Sequence, residues 1–244
     1  MFADFYQKTI LNKPKAVLLL LFIALIGLGY FSKDFKLDAS SDTLLIEGDP
    51  DLKYLREITE RYGAKEFLVL TYTPTEPMTS EVSMNNLLSL KYKIQSLNWV
   101  HSVITLLDIP LLNSSDLPLQ ERLTNFKTLK DDDVDKERGF KEIVNSPVFR
   151  NFVISEDGKT SGIIVNIKDQ RTLSDVSNKS QKEIEAFKDK IKKENHQNII
   201  EIRDVIKSYE DIGKIHLGGI PMIADDMMTF IKSDIIVFGL GVFL

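Results

Sequence analysis

Residues 16–31, AVLLLLFIALIGLGYF, carry no charge, and 18–22 are apolar on every face a helix could present. An amphipathic helix of a soluble domain shows a polar stripe every three or four residues, and this stretch has none. A helix that crosses a bilayer needs about 20 mostly apolar residues. Residues 9–11 before the run and Ser32 after it can supply the remainder. The pattern predicts a transmembrane helix over 16–32. Lys8, Lys13 and Lys15 precede it with no acid after Asp4, which keeps residues 1–15 in the cytoplasm and puts the chain beyond Lys33 across the membrane. The competing reading is a secretory signal peptide cleaved at the small residues of Gly27-Leu28-Gly29.

A second apolar run, IIVFGLGVFL, occupies residues 235–244. Ten helical residues rise about 15 Å, roughly half a bilayer core. No cap or basic flank comes after it. The expectation is a second transmembrane helix cut short, in preference to a buried terminal helix or strand. The chain then reads as the front piece of a larger membrane protein. Its middle, residues 33–220, forms one extracytoplasmic domain, and 221–244 begin the second span.

That middle can bury a core, since 43% of the chain is hydrophobic. Charged residues make up 27%, evenly mixed, with a formal net charge of −5. A nucleic-acid surface would need a clustered basic face, and there is none. With zero cysteines, a disulfide framework and thiolate metal sites are excluded.

Residues 33–48 read as a polar, extended lead-in. Asp49-Pro50-Asp51 then opens a helix: Asp49 can cap, proline suits the first helical position, and Asp51 complements the dipole. Leu52, Leu55, Ile58 and Tyr62 mark one helical face, and Gly63 can stop it. Residues 67–73 (FLVLTYT) predict a central strand closed by Pro74 and Pro77. Thr79 or Ser80 starts the next helix, with Leu87, Leu90, Ile94 and Leu97 on one side. Residues 100–107 (VHSVITLL) read as the second strand of a β-α-β unit, parallel to the first.

The stretch 110–145 is charged and irregular, with short amphipathic pieces around 119–129 and 140–144. Asp131-Asp132-Asp133 invites a calcium loop. Lys136 stands where that loop needs glycine and no glutamate occurs at the right distance, so a solvated acidic loop is expected. Residues 148–154 and 161–167 read as a hairpin around Asp157-Gly158. A long helical region opens near Ser174, with apolar stripes at Ile184, Phe187 and Ile191 and at Ile199, Ile202, Ile206 and Tyr209. Asn195-His196-Gln197-Asn198 suggest a bend or break in it. Residues 214–217 form a last strand. The fold class is α+β, of the split β-α-β (ferredoxin-like) type with helices on one sheet face.

No catalytic centre is visible. His101, His196 and His216 are far apart in sequence and read as structural or surface residues. No Ser-His-Asp order, glycine-rich phosphate loop or helical metal-ligand pair occurs, and no cofactor is expected. Asn113-Ser114-Ser115 and Asn178-Lys179-Ser180 match glycosylation sequons. The informative junction is Gly218-Gly219-Ile220-Pro221. Two glycines after a strand permit a sharp turn, and Pro221 can open a helix carrying Asp225 and Asp226 in its first turns. That helix leads through Met228, Phe230 and Ile231 towards the second apolar run. Gly218, Gly219 and Pro221 are the candidate coupling elbow; a plain loop is the alternative.

Taken in order, these parts resemble the start of a resistance-nodulation-division (RND) exporter of the MMPL-like branch. The likeness runs through LDASSDTLLIEGDPDLKYLREITERYGAKEFLVLTY and LGGIPMIADDMMTFIKSDIIVFGLG. It rests on Asp49-Pro50 before a helix, Tyr62-Gly63 before the strand, and Gly219-x-Pro221 before the second span. Tyr62 stands where the family commonly carries phenylalanine. The resemblance implies a proton-driven exporter of lipids or other hydrophobic molecules, in the inner (plasma) membrane, with residues 33–225 on the periplasmic side. Its implied partners are the bilayer, further transmembrane helices, a second porter domain and a hydrophobic substrate. Proton-coupling acids lie on a later helix in that family, so Asp225, Asp226 and Asp234 take no such role and these residues alone would not transport. A non-enzymatic alternative is an extracytoplasmic sensor or ligand-binding domain held between two membrane helices.

Overall fold

The computed structural model describes residues 13–32, 49–62, 66–113, 118, 125–168 and 180–243, in two units, Met1–Asp38 and Ala39–Leu244. The expected lead-in at 33–48, the stop at Gly63, the helix opening near Ser174 and the first half of the 119–129 stretch lie outside the described residues.

In the first unit the apolar run is one helix, α1 (Pro14–Ser32). Its 19 residues rise about 28 Å, close to the ~30 Å of a bilayer core. Large apolar side chains along it, from Leu18 to Phe31, are 57% to 73% exposed. Such exposure would be costly in water, because each of these side chains gains about 1.5–3 kcal/mol on burial. Among the described residues, α1 is the helix long and apolar enough to cross a membrane.

The second unit opens with α2 (Pro50–Tyr62). Asp49 Oδ1 accepts from the Asp51 N–H at 2.9 Å, satisfying one orphan donor of the first turn. Leu52 is buried and Ile58 half-buried.

Strand β1 (Phe67–Pro74), α3 (Glu81–Gln95) and β2 (Val100–Ile104) come next; after α4 (Lys136–Asn145) come β3 (Ser161–Ile167), α5 (Gln181–Lys207), β4 (Gly213–Gly218) and α6 (Ile220–Phe243). The sheet order is β2-β3-β1-β4, with every neighbouring pair antiparallel. The helix-linked pairs β1/β2 and β3/β4 are therefore parallel, and each is split by a strand of the other pair. This is the expected α+β architecture with two split β-α-β units. One face carries Leu68, Leu70, Tyr72, Ile163 and Val165, all fully buried, against Leu87, Leu90 and Ile94 of α3 and Ile199 and Ile202 of α5. Alternation in the strands and a 3–4 residue spacing in the helices aim these residues at one another.

Three elements differ from expectation. Residues 148–154 are not a strand. They wind through turns, with Arg150 N bonded to Ser146 O and Val153 N to Phe149 O, and Asn151 holds φ at +64°. Val153 and Ile154 are both buried while Val148 and Phe152 are exposed, a pattern that strand alternation cannot produce. The Asp157-Gly158 turn does form, with Ser155 N bonded to Thr160 O and Gly158 at φ +69°, but it joins that irregular segment to β3. Strand β2 stops at Ile104 rather than 107. Asp108 accepts from the Thr105 N–H and hydroxyl, folding Leu106–Asp108 into a 3₁₀ turn. Finally, α5 is unbroken through 195–198. It starts at a capping box in which Glu183 accepts from the Ser180 N–H and hydroxyl.

The register fixes two ends of the sheet. β1 and β2 start, and β3 and β4 finish, at the end from which α6 departs. β2 finishes and β3 starts at the opposite end, where Asp108 pairs with Lys91 and, at 3.0 Å, with Lys130. Burial pushes the Asp108 carboxyl up, but the hydrogen bonds from Lys91, Lys130 and Thr105 outweigh it and hold it below the usual carboxylate range.

Candidate functional site

The junction of β4 with α6 gathers the three elbow residues singled out from the sequence. Gly218 closes β4, opposite Val69. Gly219 is next, at φ +119°, a conformation that L side chains rarely adopt. A Cβ there would meet the Phe67 carbonyl oxygen at 3.0 Å and Leu68 Cα at 3.2 Å, so the chain turns against the first residues of β1. The Gly219 carbonyl accepts from the Ile223 N–H at 3.1 Å, the first bond of α6. Pro221, in the first turn, forfeits no helical hydrogen bond.

Asp225 and Asp226 lie one turn further on, as the sequence indicated, and α5 brings partners to them. His196 Nδ1 lies 2.9 and 3.1 Å from the two carboxylate oxygens of Asp225. A carboxylate only accepts, so Nδ1 carries the proton. Asp225 is 8% exposed, whereas the His196 side chain is 52% exposed. Arg203 Nη2 donates to both oxygens of Asp226, at 2.7 and 2.9 Å. Asn195 Nδ2 donates to the Pro221 carbonyl at 2.9 Å. Sequence reasoning missed this seam. Its signal was the Asn195–Asn198 cluster, read as a bend or break; two polar side chains of that cluster are instead bonded to the next helix.

Beyond the seam the surroundings of α6 change. Residues 232–242 are exposed on every side, and Ile235, Ile236, Val237, Phe238, Leu240 and Val242 are 49% to 86% exposed. The first turns of α6 thus belong to the folded domain and its last turns stand clear of it.

The other candidates fall out structurally. His101 and His216 lie exposed on β2 and β4. The acidic run is built into its own loop: Asp131 accepts from the Thr128 N–H and hydroxyl, Asp133 pairs with Lys127, and Lys136 donates to the Leu129 and Asp131 carbonyls. The backbone hydrogen bond from Thr128 is the main cause of the lowered Asp131 pKa. Among the described residues no three His, Cys, Asp or Glu side chains gather where a metal ion could be held. Both sequons extend outside the described residues. Neither a protein-family model nor a curated protein sequence matches the chain.

Proposed function

We propose that the chain supplies the first membrane span, the extracytoplasmic porter domain and the beginning of the second span of an RND exporter of the MMPL-like branch. The complete protein would use proton flow to move lipids or other hydrophobic molecules across the inner membrane, with residues 33–225 on the far side. The observation that carries the reading is α6. It leaves a folded α+β domain as one continuous helix and becomes, over residues 235–242, as apolar and as exposed as α1. A domain between two such helices suits a porter sheet whose movement reaches the membrane through Gly218, Gly219 and Pro221. The split β-α-β topology supports the reading only as a fold, since one architecture serves many functions.

Two measurements test it. A phosphatase reporter fused near Lys130 should be active, and the mature chain should begin near Met1; a mature N-terminus at Tyr30 would replace the anchor with a cleaved leader. In the complete protein, a fluorescent lipid analogue should leave the cell only while a proton gradient is held. Signalling in response to a soluble ligand with no efflux would favour a sensor domain instead.

A further inference from the structure

The seam between α5 and α6 bears on how α6 is aimed. The two consecutive glycines do not fix its direction. Gly219 already holds a positive φ, and a Cβ placed on Gly218 would meet only the Val69 carbonyl oxygen, at 3.6 Å. Such a junction is torsionally permissive, and Pro221 restrains only its own φ. Three polar links do grip α6, and all fall within residues 221–226. On α5 they come from Asn195, His196 and Arg203, each one turn from the buried Ile199, so the links border the buried face that Ile202 and Val205 continue. We propose that this seam is a releasable latch: α5 sets the direction of α6, and loss of the latch lets α6 turn about Gly218–Gly219. The proposal does not depend on the exporter reading.

The chemistry suits release. Two of the three links go to carboxylates from donor side chains about half exposed, 52% for His196 and 46% for Arg203. The Arg203–Asp226 ion pair, open to solvent on both sides, is of the kind that is individually weak and screened by salt. The leverage is large. At 1.5 Å per residue α6 is about 36 Å long, so turning its base by about 10° moves its far end by about 6 Å. Residues 232–242, exposed all round, offer no second grip within the domain.

The chain has no cysteine, so paired spin labels can be placed freely. In the full chain in nanodiscs, one label at Lys214 on β4 and one at Phe238 on α6 report the direction of α6; Val82 with Lys214 reports the domain alone. The unaltered seam should give one narrow Lys214–Phe238 distance. His196→Ala with Arg203→Ala should broaden it at least twofold and leave the Val82–Lys214 distance unchanged. The exchange Arg203→Asp with Asp226→Arg, on an intact His196, should recover most of the narrow distribution. An unchanged Lys214–Phe238 distribution in the double alanine variant would overturn the latch. Equal broadening of the control pair would overturn it too, because the seam would then hold the domain together rather than aim the helix. Efflux assays play no part in this result, so the latch and the exporter reading fail separately.

Discussion

Helices α3 and α5 occupy the same place in the two β-α-β units, yet they do different work. α3 has 15 residues, and Leu87, Leu90 and Ile94 along it are fully buried. α5 has 27 residues, but only its C-terminal part, through Ile199, Ile202 and Val205, enters the core. Ile184, Phe187 and Ile191 towards its start are half-buried. A seven-residue strand spans about 23 Å and a 27-residue helix about 40 Å, so α5 is far longer than the sheet it covers. Its polar residues Asn195, His196 and Arg203 face α6. α3 mainly packs; α5 packs with its apolar residues and holds a neighbour with polar residues interleaved among them.

The largest expected effect breaks the packing side of this comparison. Leu90→Asp sets an unpaired charge in a fully buried position and should cost more than about 4 kcal/mol, abolishing the cooperative unfolding transition of the full chain. Ile191→Asp on α5 should cost about 1 kcal/mol. Equal losses in a denaturant titration would mean that both helices are equally embedded.

Next comes the pin that ties α3 to the far end of the sheet. Asp108→Asn leaves the Lys91 ammonium, 9% exposed, without its carboxylate and should cost about 3 kcal/mol at neutral pH. The folded carboxyl titrates below its unfolded value. Its contribution is therefore fully present above the unfolded pKa, near pH 4, and is lost as pH falls through the folded value. Melting curves of the two proteins should converge in acid; a gap that widens there would contradict the pin.

At the elbow, Gly219→Val adds strain of about 1–3 kcal/mol, because φ is +119° and the Phe67 carbonyl oxygen stands 3.0 Å from the added Cβ. Gly158→Val, at φ +69°, should destabilise comparably. If the elbow couples motion, efflux by well-expressed complete protein should fall only with Gly219→Val. Normal efflux would remove the coupling role, and equal loss of expression would leave only a folding role.

The smallest effect belongs to the seam itself. Arg203→Ala should change the melting midpoint by no more than about 1 kcal/mol equivalent, and less in high salt. A salt-independent loss would mean that the pair with Asp226 is packed rather than solvated.

Elements with local chemistry are legible in the residues alone. The charge-free run after Lys15 dictates α1. Asp49 and Ser80 cap the helices they precede, Pro50 opens the first of these, Asp157-Gly158 makes a turn, and the alternating FLVLTYT makes a central strand. The glycines and proline of the elbow are legible for the same reason, since each restricts or frees its own backbone. Tertiary structure decided the rest. Residues 148–154 have strand composition, but the buried positions available to Val153 and Ile154 are adjacent, which only a turn satisfies. Strand β2 yields at Thr105 because Asp108 is held where it can cap the turn and meet Lys91 and Lys130 together. Asn195 and His196 interrupt nothing, because Pro221 and Asp225 lie within hydrogen-bond reach on another helix. A residue's own preference can be read from its neighbours in the chain; its partner across 29 positions, as between His196 and Asp225, exists only once the sheet has brought β4 and α5 side by side.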